Sequence, residues 1–294
     1  MKYWWIGLAV LALAACGRNE EATTIPSTPA APQQVGDPAG APQQAPALED
    51  VIEQTPRYIV GISYPPEARR YPGLAAELHR YGQAARSELV DAAASAGEAP
   101  GRLAYDLSLE FRMLAETPQL VAVAADGSSY TGGAHGNPLV ARFVWLPQQE
   151  RMLRAADLLS GPEGWAAISA YVREQLHAVL GTRIDAEELS PEERHEALRT
   201  AGRMIDDGSG PEPDNFDSFE PVLDPQGRIE ALRFVFPPYQ VGPYADGTQS
   251  VSVPAHVLLP HVAAEYRGLF STDMPAPSIN DAGVDGADWR RENG

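Results

Sequence analysis

An α+β fold, with antiparallel sheets carrying helices packed on one face and arranged as two consecutive subdomains, is predicted by three features of this sequence. Leu103, Tyr105, Leu107, Leu109, Phe111 and Met113 alternate with Ala104, Asp106, Ser108, Glu110 and Arg112, the period of a strand with one buried face and one wet face. Leu74, Leu78, Tyr81, Ala85, Leu89 and Ala92 recur instead at helical spacing. The second half of the chain repeats the sequence of helix followed by strands.

In chain order, Tyr58, Val60, Ile62 and Tyr64 alternate with Ile59, Gly61 and Ser63, a first strand that Pro65 and Pro66 end. A helix of about 20 residues follows from Pro72. The alternating strand comes next, then two apolar runs, Gln119 to Ala125 and Leu139 to Leu146, which complete an antiparallel three-strand run. In the second half, Asp157-Leu158-Leu159 leads into a helix near Pro162 to Leu180, with Ile168, Val172, Leu176 and Val179 on one side. Ser190-Pro191-Glu192-Glu193 starts another helix, in which Ser190 caps the N-terminus, Pro191 fits the first turn and Glu193 completes a capping box. Asp206 to Asp217 is acidic and rich in Gly and Pro, lacks the ligand spacing of an EF-hand, and reads as a solvated loop. Strands at Phe219 to Leu223, Arg228 to Phe236 and Ser250 to Val253 are followed by short helical turns at Ala255 to Phe270 and a loose polar tail, 271–294.

The subdomains are therefore expected at 49–147 and 148–270. Ahead of them, residues 1–15 join Lys2 to an apolar core too short for the roughly 17 to 25 residues of a membrane span, and so read as a signal peptide. Leu13-Ala14-Ala15-Cys16 resembles the lipobox of bacterial lipoproteins, with Cys16 as the lipidated residue; Gly17 in the next position resembles the outer-membrane sorting signal. The expected location is the periplasm, with the chain held to the outer membrane through lipid. Between Cys16 and Leu48 the chain is a tether: residues 17–48 hold six prolines and seven alanines without one aromatic residue, too little apolar surface to offset the entropy of folding. Extended in polyproline conformation, at ~3.1 Å per residue, it reaches up to about 100 Å.

Composition prunes the chemistry. The chain has 294 residues and a formal charge of −18; loss of Lys2 with the signal leaves 21 bases against 40 acids, a charge of −19. Nucleic acid is not expected as a partner, because its recognition depends on basic contacts to phosphate, whereas the acid excess either draws in cationic proteins or only keeps the chain soluble. Lys2 is the only lysine and Cys16 the only cysteine. Cysteine nucleophiles, disulfides, Schiff bases and phosphate-binding P-loops are thereby removed from the folded part. No His-Glu-x-x-His and no Gly-x-Ser-x-Gly occurs, and His256 and His261 are five apart across Pro260, which is not a zinc spacing. No metal and no cofactor is expected.

Two loops carry what specificity the sequence shows. Tyr130-Thr131-Gly132-Gly133-Ala134-His135-Gly136-Asn137-Pro138 ends a connection expected to run from about Asp126 to Pro138, longer than the ~2 to 5 residues usual in a hairpin. Its three glycines permit a shaped turn. Pro237 to Gly247 forms a second connection of roughly twelve residues, with three prolines to stiffen it and Tyr239 and Tyr244 either to give contact surface or to fold back over the sheet edge. The residues expected to bind are Tyr130, Thr131, Gly132, Gly133, His135, Asn137, Tyr239, Pro243 and Tyr244. His135 has three open roles: fixing the turn through a backbone hydrogen bond, touching a ligand, or acting as a general base oriented by an acid such as Asp126.

Tyr130 to Asn137, together with Phe236 and Tyr239 to Gly247, resemble signatures of a paired PdaC/RsiV-type bacterial envelope domain of unknown function. It is found ahead of the catalytic domain of PdaC peptidoglycan deacetylases and in the lysozyme-binding ectodomain of the RsiV anti-sigma factors. The resemblance covers about Thr55 to Phe270 and implies a binding or sensor role toward a glycan, peptidoglycan or a cationic protein such as lysozyme. It implies neither deacetylation nor sigma-factor control, because the segments responsible have no counterpart here. Gly242 departs from the family, which commonly has alanine or a larger residue there. The alternative is a cell-wall polysaccharide-modifying enzyme using His135.

Overall fold

The computed structural model describes residues 48–96 and 104–272, all within one compact unit, Gln44–Gly294. The signal peptide, Cys16 and nearly all of the tether lie outside the described residues. Leu48 does not belong to the tether: it is 2% exposed, packs in the first core, and its carbonyl accepts from Arg69 Nε at 3.0 Å.

A six-stranded sheet holds β1 (Val51–Gln54), β2 (Tyr58–Ser63), β3 (Tyr105–Glu116), β4 (Val121–Tyr130), β5 (Asn137–Leu146) and β6 (Arg151–Met152) in that order. The two short outer strands went unpredicted, being too brief to show a period. Helix α1 (Pro72–Ser95) runs between β2 and β3, and this crossover makes them the parallel pair in a sheet whose other neighbours are antiparallel. The predicted apolar stripe of α1 meets the sheet: Leu74, Leu78 and Leu89 pack with Val60, Leu107, Phe111, Val123, Phe143 and Trp145. Leu103 lies outside the described residues. The strand it was expected to begin runs past Met113 to Glu116, with a register shift between Met113 and Ala115.

The second half contains α2 (Ala155–Leu158), α3 (Pro162–Asp185), α4 (Pro191–Gly208) and a three-stranded antiparallel sheet of β7 (Phe219–Leu223), β8 (Ile229–Phe236) and β9 (Gln249–Pro254), followed by α5 (Ala255–Leu258). The buried side of α3 runs from Trp165 through Ile168, Val172 and Leu176 to Leu180 and Ile184; Val179, expected on that side, is only half-buried. This second core also takes in Ala122, Val144 and Leu146 from the far face of the first sheet. Val121 to Ala125 are therefore buried on both faces, which explains an unbroken apolar run where an alternating one would serve a half-wet strand.

Three expectations are corrected. The connection from Asp126 to Pro138 is mostly paired strand: β4 continues to Tyr130, β5 starts at Asn137, and Ser129 pairs with Asn137. Gly127 allows this, since a Cβ there would stand 2.1 Å from the Ser108 carbonyl of β3. The segment 206–217 is not a solvated loop: α4 extends to Gly208, and Phe216, in a 3-10 turn (Pro213–Phe216), is 1% exposed and stacked on Trp165 at 5.2 Å. Ser271 is also fixed, 3% exposed with its N–H on the Ile229 carbonyl at 2.8 Å; residues 273–294 lie outside the described residues.

Candidate functional site

With its strands extended, the β4–β5 hairpin leaves a tip of Thr131 to Gly136. Gly132 and Gly133 turn it at φ 100° and 110°, a region that glycine enters without strain, and the Tyr130 hydroxyl donates to the Gly133 carbonyl at 3.1 Å. This shape presents His135 outward. Its Nδ1 lies 3.0 Å from the Gly136 carbonyl; a carbonyl only accepts, so Nδ1 carries the hydrogen. The backbone-fixing role read from the sequence is thus present, and in the neutral imidazole it leaves Nε2 with a lone pair.

That lone pair meets the second loop. The Tyr239 hydroxyl lies 3.0 Å from His135 Nε2 and, given the tautomer, donates to it. Tyr244 stacks on the imidazole with centroids 4.0 Å apart and planes at 17°, and Tyr239 and Tyr244 lie 5.8 Å apart at 37°. The two connections therefore converge on one aromatic cluster, joined across 104 positions of sequence. Its rings face solvent: Tyr239 is 55% and Tyr244 37% exposed.

The second loop is held from below. Gln240 Nε2 donates to the carbonyls of Gly208 at 2.9 Å and Asn215 at 2.8 Å, and Val241 is buried. Arg183 on α3 pairs with Asp246 at 2.6 Å. The Gln240 N–H donates to the Pro237 carbonyl at 3.1 Å, closing a turn whose third residue, Tyr239, stands at φ 75°, uncommon for a residue with a Cβ, and the Tyr239 N–H donates to the Gly242 carbonyl at 2.9 Å. At Gly242 an added Cβ would come within 3.1 Å of the Asp246 carboxylate, so the larger residue of the resembled family would shift that side chain.

Of the expected binding residues, His135, Tyr239 and Tyr244 touch one another, Tyr130, Gly132 and Gly133 shape the tip, Thr131 and Pro243 flank these in the two loops, and Asn137 is the first residue of β5. Asp126 does not orient His135. It binds Arg142 at 2.9 Å and Arg112 at 3.4 Å, and neither ring nitrogen of His135 meets a carboxylate among the described residues. Among those residues no group of three or more His, Cys, Asp or Glu side chains is arranged to hold a metal ion. Gln240, Arg183 and Asp246 were missed as loop supports, because their partners lie in distant elements and nothing in the sequence next to them marks the pairing.

The match to a family model falls on the second half, while solved structures match over about three quarters of the chain. Residues 157–256 match DUF3298, described as a protein of unknown function. The DUF3298 region spans α3, α4 and the three-stranded sheet; it holds Tyr239 and Tyr244, while His135 lies ahead of it. Among solved structures, a DUF3298 family member from Bacteroides fragilis is 18% identical, with 75% of this chain and 94% of that one covered and a TM-score of 0.48. A DUF3298 family protein from Pseudomonas aeruginosa is 15% identical, covering 76% and 95%, with a TM-score of 0.49. None of the curated proteins matches the chain.

Proposed function

We propose that this chain is a PdaC/RsiV-type binding or sensor module of the bacterial envelope, held to the outer membrane in the periplasm by lipid on Cys16, and that the aromatic cluster is its recognition surface for a glycan or a cationic protein such as lysozyme. The observation that carries this reading is the meeting of two loops in exposed rings, with Tyr239 bonded to His135 and Tyr244 stacked on it. Rings fixed beforehand lose little freedom when a partner arrives, and tyrosine supplies a large apolar face with a polar tip. Support from Gln240 and Arg183 adds to that preorganisation. The enzymatic alternative gains nothing from the geometry, since the His135 nitrogens are engaged by a carbonyl and a phenol.

Titration of the chain freed of residues 1–15 with lysozyme and with peptidoglycan fragments tests the proposal. Binding is expected for one of them, weakened about tenfold or more by Tyr239→Ala, as for an exposed interface tyrosine. No binding at concentrations of about 100 μM, or binding indifferent to this substitution, would overturn it.

A further inference from the structure

The hydrogen bonding of His135 restricts which chemical group the cluster can take. With Nδ1–H committed to the Gly136 carbonyl, Nε2 accepts from Tyr239, so the phenolic hydrogen is used internally and only oxygen lone pairs face outward. The site offers an acceptor flanked by two exposed tyrosine rings. Neither loop contains Lys or Arg: Thr131 to Gly136 is uncharged, and the one charged residue from Pro237 to Thr248 is Asp246, held by Arg183. The chain as a whole has a formal charge of −18. Acceptor lone pairs, electron-rich ring faces and a net negative chain share one complement, a positively charged donor.

We infer that the cluster binds a cationic side chain, the ammonium of a lysine or the guanidinium of an arginine on a partner protein, and that protonation of His135 expels it. This inference rests on the proposed recognition surface. A proton added at Nε2 reverses the hydrogen bond: the imidazolium donates, the Tyr239 oxygen accepts, and the phenolic hydrogen turns outward where the lone pairs were. The new charge also lies against Tyr244 at 4.0 Å, so an internal cation occupies the ring face that the ligand would use and repels it as well. The titratable and charged groups about His135 are Tyr239 and Tyr244 in the facing loop, Tyr130 through Gly133 in its own hairpin, and Asp246 with Arg183 beyond Tyr244. A neutral sugar, whose hydroxyls both donate and accept, would adjust to either state.

The experiment titrates the chain freed of residues 1–15 with octalysine and, separately, with tetra-N-acetylchitotetraose. It is run at fixed ionic strength, at one pH where the His135 Cε1 carbon resonance reports neutral imidazole and one where it reports imidazolium. Octalysine is expected to shift that resonance and to bind about tenfold less well to the protonated form. His135→Phe, which keeps a ring on Tyr244 but cannot charge, should remove this difference and so correct for titration of surface carboxylates. Tyr239→Phe, which keeps the ring and removes the acceptor, should weaken octalysine at the higher pH. Octalysine binding that ignores both substitutions overturns the inference, as does a pH response equal in wild type and His135→Phe. If chitotetraose alone binds at the cluster, the cation assignment falls while the recognition surface stands; if neither ligand moves the His135 resonance, both fall.

Discussion

Tyr64 buries its hydroxyl with no hydrogen-bond partner among the described residues, while its ring stacks on Phe111 at 4.7 Å. Burial, with the Asp50 carboxylate adding to it, pushes the phenol up to about 12 from its ordinary 10. An unfolded chain releases this proton at lower pH than the folded one does. Relative to the alkaline limit the folded state is fully favoured below pH 10, and that advantage is lost as pH rises through 12. Tyr64→Phe should flatten that alkaline loss and, by removing a stranded polar group, raise stability at neutral pH by about 1 kcal/mol. Urea unfolding from pH 8 to 12 measures both effects; a loss at neutral pH would show that the hydroxyl has a partner. Beneath the aromatic cluster, a Cβ on Gly208 would stand 1.8 Å from the Gln240 carbonyl. Gly208→Ala should therefore push the second loop away from α4, costing about 1–3 kcal/mol in thermal unfolding and moving the His135 resonance by breaking the Tyr239 contact.

At the scale of elements, α4 is fixed where the sequence said it would start. The Glu193 N–H donates to Ser190 Oγ at 3.3 Å, and Glu193 Oε2 accepts from the Ser190 hydroxyl at 2.7 Å and its N–H at 3.0 Å. These bonds, the hydroxyl's first, hold the Glu193 carboxyl below its usual range. Its contribution is present above the unfolded carboxylate range and lost as pH falls through the lowered folded value. Ser190→Ala should cost about 1 kcal/mol at pH 7 by chemical denaturation, with a smaller difference in acid where the box is already broken in the parent; equal costs at both would contradict this. The hairpin shows the opposite case. Its tip residues were legible as a turn, but the extension of both strands to Tyr130 and Asn137 was not, because Asp126 and Gly127 disfavour a strand and end the apolar run, and β4 continues past them only where β3 and β5 lie alongside to pair with it.

Across the whole molecule, the two sheets are joined by Arg142 of β5. Its side chain, only 9% exposed, reaches Glu220 of β7 at 2.8 Å and Asp126 of β4 at 2.9 Å, and Arg233 of β8 closes on Glu220 at 3.2 Å. Removing the central cation leaves Glu220, 12% exposed, with one partner in place of two. Arg142→Ala is expected to cost about 3 kcal/mol in chemical denaturation, far above the ~0.5 kcal/mol of an exposed pair, and a loss under 1 kcal/mol would reduce the network to surface decoration.

Residue order was enough for the local pieces: the stripe of α1, the alternation of β3, the cap of α4, the three later strands and the twelve-residue loop. Each follows from residues within a turn or two of one another, whose spacing decides which side can be buried. Tertiary structure alone decided that β2 and β3 run parallel, that Ala122 and Val144 close the second core, that Arg142 finds Glu220, and that His135 receives a hydrogen bond from Tyr239. Those pairings join residues up to 104 positions apart, and they form only when the packing of two sheets brings separate segments to the same place.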